Sequence, residues 1–587
     1  MSGRLGIFTL DRGEIAPMNK TVSEIIVDTL AHAGAKRCYG IVGDTINHFT
    51  DAVRRSGLTW VHVRHEEVGA LAAGGEAYMT GELAVCAGTC GPGSLHFVNG
   101  IFESHRNGAP VLLVASQIDR AEEGLGFPQA VDQKKIYEQC AVFCERISHA
   151  DQARRITAMA AQAALARRGV AVIVVNGDML KEHSKDATPW TVNRFSPVVC
   201  PSRAELDQLA ARINAAKKPA IYAGIGARDA RQPLLALAEK IHAPIAHTSR
   251  AKEFIEPDNP FNVGMCGILG NPAGMHVLDA CDLLLCLGSD FAYSQFYPDK
   301  ARIVQIDIDP THIGRRTPVD LGLVGDVGAT LRALEPLVRE RPDDGWLEDA
   351  RARWQADLRT YEGRAESEQD LIHPQTVTCL LDRLADDDAI FTADGGSPMV
   401  WLLRHLRANG KRRYLTSLSH GTMANAYPQA LGIALAYPQR QVIALCGDGG
   451  LTMLLGDLLT LVQERIPVKL LVYNNHSLGF VEMEQRVEGL LDNYTGLKNP
   501  DFDQLAKVCG LQGWKVRQTA ELEPAMRAWL AADQPALLDV EVNRLELVMP
   551  PQIELSQLAS TALFGAKAVL SGRADEVVDL LRNNFLK

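Results

Sequence analysis

Short, nearly unbroken apolar runs recur along the chain, among them Ala171–Val175, Ala220–Ala223, Leu283–Leu287, Ile303–Ile308, Val442–Cys446, Val468–Tyr473 and Leu537–Val540. Between them the apolar residues fall at helical rather than alternating spacing. Strands that are apolar on both faces and separated by helices are those of parallel sheets covered on each side. The pattern predicts an α/β protein made of three doubly wound parallel-sheet domains plus a short C-terminal helical tail. Segment 183–205 is polar and proline-rich, and segment 338–372 is charged before a new block opens near His373. The predicted division is an N-terminal extension at 1–17, domains at 18–198, 199–349 and 350–545, and a tail at 546–587. No short repeat or low-complexity tract interrupts it.

A chain of 587 residues, 47% of them hydrophobic, can bury several cores, which excludes a disordered or mini-protein class. Its 60 Lys and Arg against 71 Asp and Glu give a net charge of −11. An acidic surface argues against nucleic acid as a partner, because that binding rests on neutralising phosphates. The 12 cysteines include no C-x-x-C pair and no zinc spacing, which fits a reducing compartment. No apolar run approaches a bilayer span, and residues 1–17 lack the apolar core of a signal peptide, the patterned chain beginning at Met18. A cytoplasmic-type protein is expected.

The strongest constellation for chemistry follows the apolar run Val442–Cys446, which leads directly into Gly447-Asp448-Gly449-Gly450. Residues 450–473 then read as largely one helix and a second apolar strand, ending at Asn474-Asn475. Ligands of parallel sheets sit outside the carboxyl ends of the strands, so both polar motifs fall on one rim. The glycines let backbone N–H groups approach a diphosphate, and Asp448 and Asn475 offer hard oxygens suited to Mg²⁺. A tight G-D-G turn with an Asn-capped loop is the plainer alternative; strand, spacing and asparagine pair together favour the site.

This arrangement resembles the thiamine diphosphate signature. The resemblance implies Mg²⁺ held by Asp448, Asn475 and the main-chain carbonyl of Ser477, with Gly449, Gly450, Leu478 and Gly479 beside the cofactor. It also implies a glutamate from the first domain, just after a His, that hydrogen-bonds the cofactor's pyrimidine ring. Arg64-His65-Glu66-Glu67 follows the apolar stretch Trp60–Val63, and Glu66 is the matching residue. Further matches are Gly43-Asp44-Thr45, Thr89-Cys90-Gly91-Pro92-Gly93, Ala393-Asp394-Gly395-Gly396 and Ser419-His420-Gly421-Thr422-Met423. Met423 takes the place of the bulky residue that holds the cofactor bent, although simple core filling explains a Met equally well.

From about residue 19 onward the chain is most similar to the pyruvate dehydrogenase (quinone)/pyruvate oxidase flavoproteins, through segments such as RHEEVGALAAGGEAYMTGELAVCAGTCGPG and IVQIDIDPTHIG. The resemblance makes the three blocks pyrimidine-binding, FAD-binding and diphosphate-binding. It assigns FAD to Cys266-Gly267-Ile268-Leu269, Ser289-Asp290-Phe291-Ala292-Tyr293 and Asp307, whereas Gly224-x-Gly226 is only a weak dinucleotide hint. The implied reaction is oxidative decarboxylation of pyruvate to acetate and CO₂, with electrons passing through FAD to ubiquinone. Phe480 matches an aromatic that assists electron transfer. Gln129 matches a pocket residue, but Pro128 and Ala130 replace the usual aromatic and acid, which leaves the preferred 2-oxo acid open. Ala574, Val577, Val578, Leu581 and Phe585 form one apolar stripe. Such a helix lies in a membrane interface or packs on protein; the resemblance favours lipid, on the cytoplasmic face of the inner membrane. It also implies a homodimer at least, and a homotetramer by family habit. Acetolactate synthase-type carboligation, a phosphate-using, oxygen-reducing pyruvate oxidase and a non-catalytic scaffold are the rival readings.

Overall fold

The computed structural model describes residues 19–185, 190–365 and 371–546, together with Phe564 and Lys567. The N-terminal extension and the stripe at 574–585 lie outside the described residues. The chain divides into two compact units, the first ending at Phe195 and the second beginning at Ser196.

The first unit holds one six-stranded sheet made of β1 (Arg37–Gly40), β2 (Thr59–His62), β3 (Ala84–Gly88), β4 (Val111–Gln117), β5 (Phe143–Ile147) and β6 (Val170–Asn176). All neighbours are parallel, in the order β2-β1-β3-β4-β6-β5. β4 and β6 are buried along their whole length, their apolar runs Val111–Ala115 and Val170–Val175 closing in the polar Ser116-Gln117 and Asn176.

The second unit carries two more parallel sheets. One contains β7 (Pro219–Ala223), β8 (Ile245–His247), β9 (Asn262–Met265), β10 (Leu283–Leu287), β11 (Arg302–Asp307) and β12 (Leu321–Val324), in the order β9-β8-β7-β10-β11-β12. Counted within the sheet this is 3-2-1-4-5-6, the doubly wound order of dinucleotide-binding folds. The other contains β13 (Ile390–Ala393), β14 (Arg413–Thr416), β15 (Val442–Gly447), β16 (Lys469–Asn474), β17 (Gln512–Val516) and β18 (Ala536–Glu541), in the order β14-β13-β15-β16-β18-β17. The first and last sheets thus share one topology. The α/β class with three parallel sheets is as the hydrophobic pattern predicts.

One local expectation is corrected. The segment after Gly450 is not one helix but two, Asp448–Met453 and Leu458–Gln463, separated by a tight turn at Leu455–Asp457. Leu454 leaves helical space at φ −121°, and its carbonyl accepts from the Tyr427 hydroxyl and from the Asp457 N–H of the turn at 3.1 Å. Among the described residues no helix is long and apolar enough to cross a membrane.

Candidate active site

The order of the last sheet reverses between β13 and β15, and ligands of such sheets bind where the strand ends part. Asp394, Gly395 and Gly396 continue from β13, and Gly447–Gly450 from β15; together they line one cleft. Met423, Asn475, Ser477, Leu478, Gly479 and Phe480 complete its wall. Close approach demands glycine at two of these positions. A Cβ on Gly450 would stand 2.2 Å from Asp394 Oδ2, and one on Gly449 would stand 2.7 Å from Leu478 Cδ2 and 3.3 Å from Met423 Cε. Gly421 has φ +76°, a conformation that favours glycine. Ser419 and His420 are exposed and are not among the lining residues; the Ser419 hydroxyl accepts from Arg250 at 3.3 Å.

Asp448 is 2% exposed. Its carboxylate accepts from the Gly449 N–H at 2.9 Å and from the Asn499 amide at 2.8 Å. Burial nevertheless pushes its pKa up to about 6, because the Gly449 and Asn499 bonds and the nearby His476 only partly offset desolvation. A buried carboxylate at an open cleft is stabilised by a divalent cation, so the residues present fit one. Asn475 lines the same cleft, and its Oδ1 accepts from the Ser477 N–H at 3.1 Å. Asp394, also 2% exposed, accepts the backbone N–H groups of Ala426 (2.9 Å) and Gly447 (3.1 Å). Burial raises its pKa to about 7.

In the first unit Glu66 opens the helix Glu66–Thr80, with His65 as its N-cap accepting from the Glu67 N–H at 3.2 Å. Glu66 is 6% exposed, and His96 Nδ1 lies 2.9 Å from its Oε2. The His65 and His96 rings stack with centroids 4.7 Å apart. Thr45 and Thr89 bond through their hydroxyls at 2.9 Å, and Gln129 Oε1 accepts from the Cys90 thiol at 3.2 Å. Gly93 packs so that a Cβ there would stand 3.4 Å from Glu66 Oε1. These residues therefore gather at the ends of β1 and β3, the corresponding switch point of the first sheet. His96 was not picked out from sequence, although it follows Gly91-Pro92-Gly93 closely enough for that loop to have pointed to it.

On the middle sheet the reversal falls between β7 and β10, where Gly224 packs so closely that a Cβ would meet the Gly288 carbonyl oxygen at 2.2 Å. The Ser289 hydroxyl is buried with no hydrogen-bond partner among the described residues. Asp290 is engaged by Arg315 and Arg316, which hold its pKa below the usual range against burial. Phe291 sits 5.4 Å from Tyr222 and covers Gly267, which has φ +114°. Ala292 and Tyr293 are exposed; Cys266 is buried and Ile268 half-buried. Leu269 packs into the core of the last sheet, and its carbonyl accepts from Arg404 at 3.2 Å. Asp307 ends β11 and accepts from the Asp309 N–H at 2.9 Å.

Parallel sheets with switch-point clefts, glycine turns and a buried carboxylate beside paired asparagines are what an enzyme holding a diphosphate through a cation requires. Residues 20–136 match the thiamine pyrophosphate enzyme N-terminal TPP binding domain, 206–334 the central domain and 394–540 the C-terminal TPP binding domain. The protein YdaP of Bacillus subtilis (strain 168) is 34% identical over 575 residues, 96% of this chain and 99% of that one. The chain belongs to the thiamine pyrophosphate enzyme family. It is also 29% identical over 557 residues to the pyruvate oxidase of Lactiplantibacillus plantarum, covering 92% of this chain and 91% of the relative. The acetolactate synthase isozyme 2 large subunit of Escherichia coli (strain K12) is 28% identical over 537 residues, 89% and 96% of the two chains.

Proposed function

We propose that the protein oxidatively decarboxylates pyruvate: pyruvate, water and a quinone give acetate, CO₂ and the quinol, with FAD as the intermediate electron carrier. The observation that supports this reading is the middle sheet, with its dinucleotide-binding strand order and, at the strand ends, the Asp307 carboxyl and a buried Ser289 hydroxyl that has no hydrogen-bond partner among the described residues. Likeness to a pyruvate oxidase over nearly the whole chain supports the choice of substrate.

Asp448, Asn475 and the Ser477 carbonyl would hold Mg²⁺, and the Gly447–Gly450 turn would cradle the diphosphate. Bound thiamine diphosphate supplies the carbon nucleophile and electron sink for decarboxylation. Glu66 would hydrogen-bond the pyrimidine nitrogen of the bound cofactor and so help to make that nucleophile available. His96, hydrogen-bonded to Glu66, orients its carboxyl. Gln129 would contact pyruvate, and Phe480 would assist electron transfer to a bound flavin. Glu66 and Asp448 belong to separate units, and in the proposed assembly two copies complete each site, within a homotetramer. Transfer to ubiquinone takes place at the cytoplasmic face of the inner membrane through residues 546–587.

An anaerobic flavin spectrum before and after addition of pyruvate tests this reading; bleaching with acetate formed is the expected outcome. An unbleached flavin with acetolactate formed supports the second reading, a carboligase, which the likeness to an acetolactate synthase favours. Acetyl phosphate and peroxide formed only with added phosphate would identify an oxygen-reducing oxidase. Deleting residues 565–587 should abolish activation by lipid while sparing ferricyanide reduction; a retained lipid response refutes the membrane role.

A further inference from the structure

Asn499 lies in none of the motifs that mark the site, yet its amide reaches the centre of it. Nδ2 donates to Asp448 Oδ2 at 2.8 Å and to Asn474 Oδ1 at 3.0 Å, so both amide hydrogens are used. Asn474 in turn donates through Nδ2 to Asp539 Oδ1 at 3.0 Å. Ionised carboxylates only accept, so Asp448 at one end and Asp539 at the other fix the polarity of both amides. Turning either asparagine over would set oxygen against oxygen. The far end is itself anchored: Asp539 is fully buried, and Lys515 Nζ stands 3.3 Å from it and 2.9 Å from Glu541.

The loop that delivers Asn499 is held by its own backbone. Leu478 N–H donates to the Thr495 carbonyl at 2.9 Å, Leu497 N–H donates to the His476 carbonyl at 2.8 Å, and Ser477 bridges Gly496 antiparallel. The side chain of Asn499 is therefore free to serve the site rather than to hold the loop. The same bridge ties that loop to Ser477, whose carbonyl is a proposed cation ligand.

We propose that Asn499 is the positioning residue of the cation site, holding the Asp448 carboxylate in one orientation and locking it to Asn474. The two asparagines of the pair then divide the work: Asn475 faces the cleft, while Asn474 is the acceptor that orients Asn499. This inference rests on Asp448 being a cation ligand. Removing an outer partner of a metal ligand weakens metal affinity by about 10–100-fold.

The test is Mn²⁺ binding to the full-length protein saturated with thiamine diphosphate, read from the electron paramagnetic resonance signal of free Mn²⁺. Wild type should bind, Asp448→Ala should lose binding, and Asn499→Ala should raise Kd about 10–100-fold. Asn499→Leu, closer in volume, should do the same and guards against a cavity effect. In pyruvate turnover the Asn499→Ala defect should lie in the Mg²⁺ activation constant and not in kcat. Unchanged Mn²⁺ affinity in both Asn499 variants, with Asp448→Ala inactive in binding, overturns the inference alone. A fall in kcat at saturating Mg²⁺ with unchanged affinity also overturns it. Failure of the wild type itself to bind Mn²⁺ overturns the cation site and the inference together.

Discussion

Gly450→Ala is the sharpest probe of the cleft, because the added methyl group has a single main obstacle. Its Cβ would stand 2.2 Å from Asp394 Oδ2 and 2.8 Å from Asp394 Cγ, with Ala424 N next at 3.3 Å. The carboxylate cannot simply swing aside, since it is buried and fixed by the N–H groups of Ala426 and Gly447. Either it leaves the Gly447 N–H or the helix Asp448–Met453 lifts. Overpacking of this kind costs about 1–3 kcal/mol, and one abandoned buried hydrogen bond about 1–3 kcal/mol more. The variant should therefore lose about 2–6 kcal/mol of unfolding free energy in guanidinium chloride, and the shift of Asp448 should weaken thiamine diphosphate binding at least about tenfold. Asp394→Ala deletes both offending atoms and leaves the nearest contact at 3.3 Å. In that background Gly450→Ala should cost under about 1 kcal/mol, a coupling of about 1–3 kcal/mol or more. An equal cost in both backgrounds would refute the claim that Asp394 is what demands the glycine.

Other predictions rest on separate features. Because burial raises the folded-state pKa of Asp394 to about 7 from 3.8, the folded protein binds the extra proton between those values, and cofactor-free stability should fall as pH rises from about 4 to about 7 and then level off. The ceiling is about 4 kcal/mol at 1.36 kcal/mol per pH unit, and Asp394→Asn should lose this slope in unfolding measured across that range; identical slopes would discount the buried carboxylate. His96→Ala removes the 2.9 Å bond to Glu66 and should lower pyruvate decarboxylation about tenfold with cofactor affinity retained, the worth of one hydrogen bond at about 1.4 kcal/mol. Phe480→Ala should slow flavin reduction by pyruvate in stopped-flow measurements without loss of bound flavin; an unaltered rate removes it from electron transfer.

Local sequence carried the strands well, because a segment such as Val170–Val175 is apolar throughout and fits a strand covered on both faces. Strand order is a matter of long-range pairing, and no pattern in the chain predicts that the middle sheet runs 3-2-1-4-5-6. The break at Leu454 escaped prediction for a similar reason: the Tyr427 hydroxyl that takes its carbonyl is 27 residues away. The glycine and asparagine motifs were legible because backbone approach and hard-oxygen ligands constrain residue type at fixed spacing. Their supports were not. Asn499 is 51 residues from Asp448 and His96 is 30 from Glu66, and neither residue type is unusual where it stands. Such partners become visible only when the chain closes on itself.

The central claim is that Glu66 activates a thiamine diphosphate anchored through Asp448, Asn475 and the Ser477 carbonyl. CO₂ release from pyruvate by the purified protein, supplied with thiamine diphosphate and Mg²⁺, tests it most directly when wild type and Glu66→Gln are compared. The account predicts release by the wild type and a loss of about 10²–10⁴-fold in the variant, with cofactor binding retained. No release by the wild type, or equal release by both proteins, would contradict it.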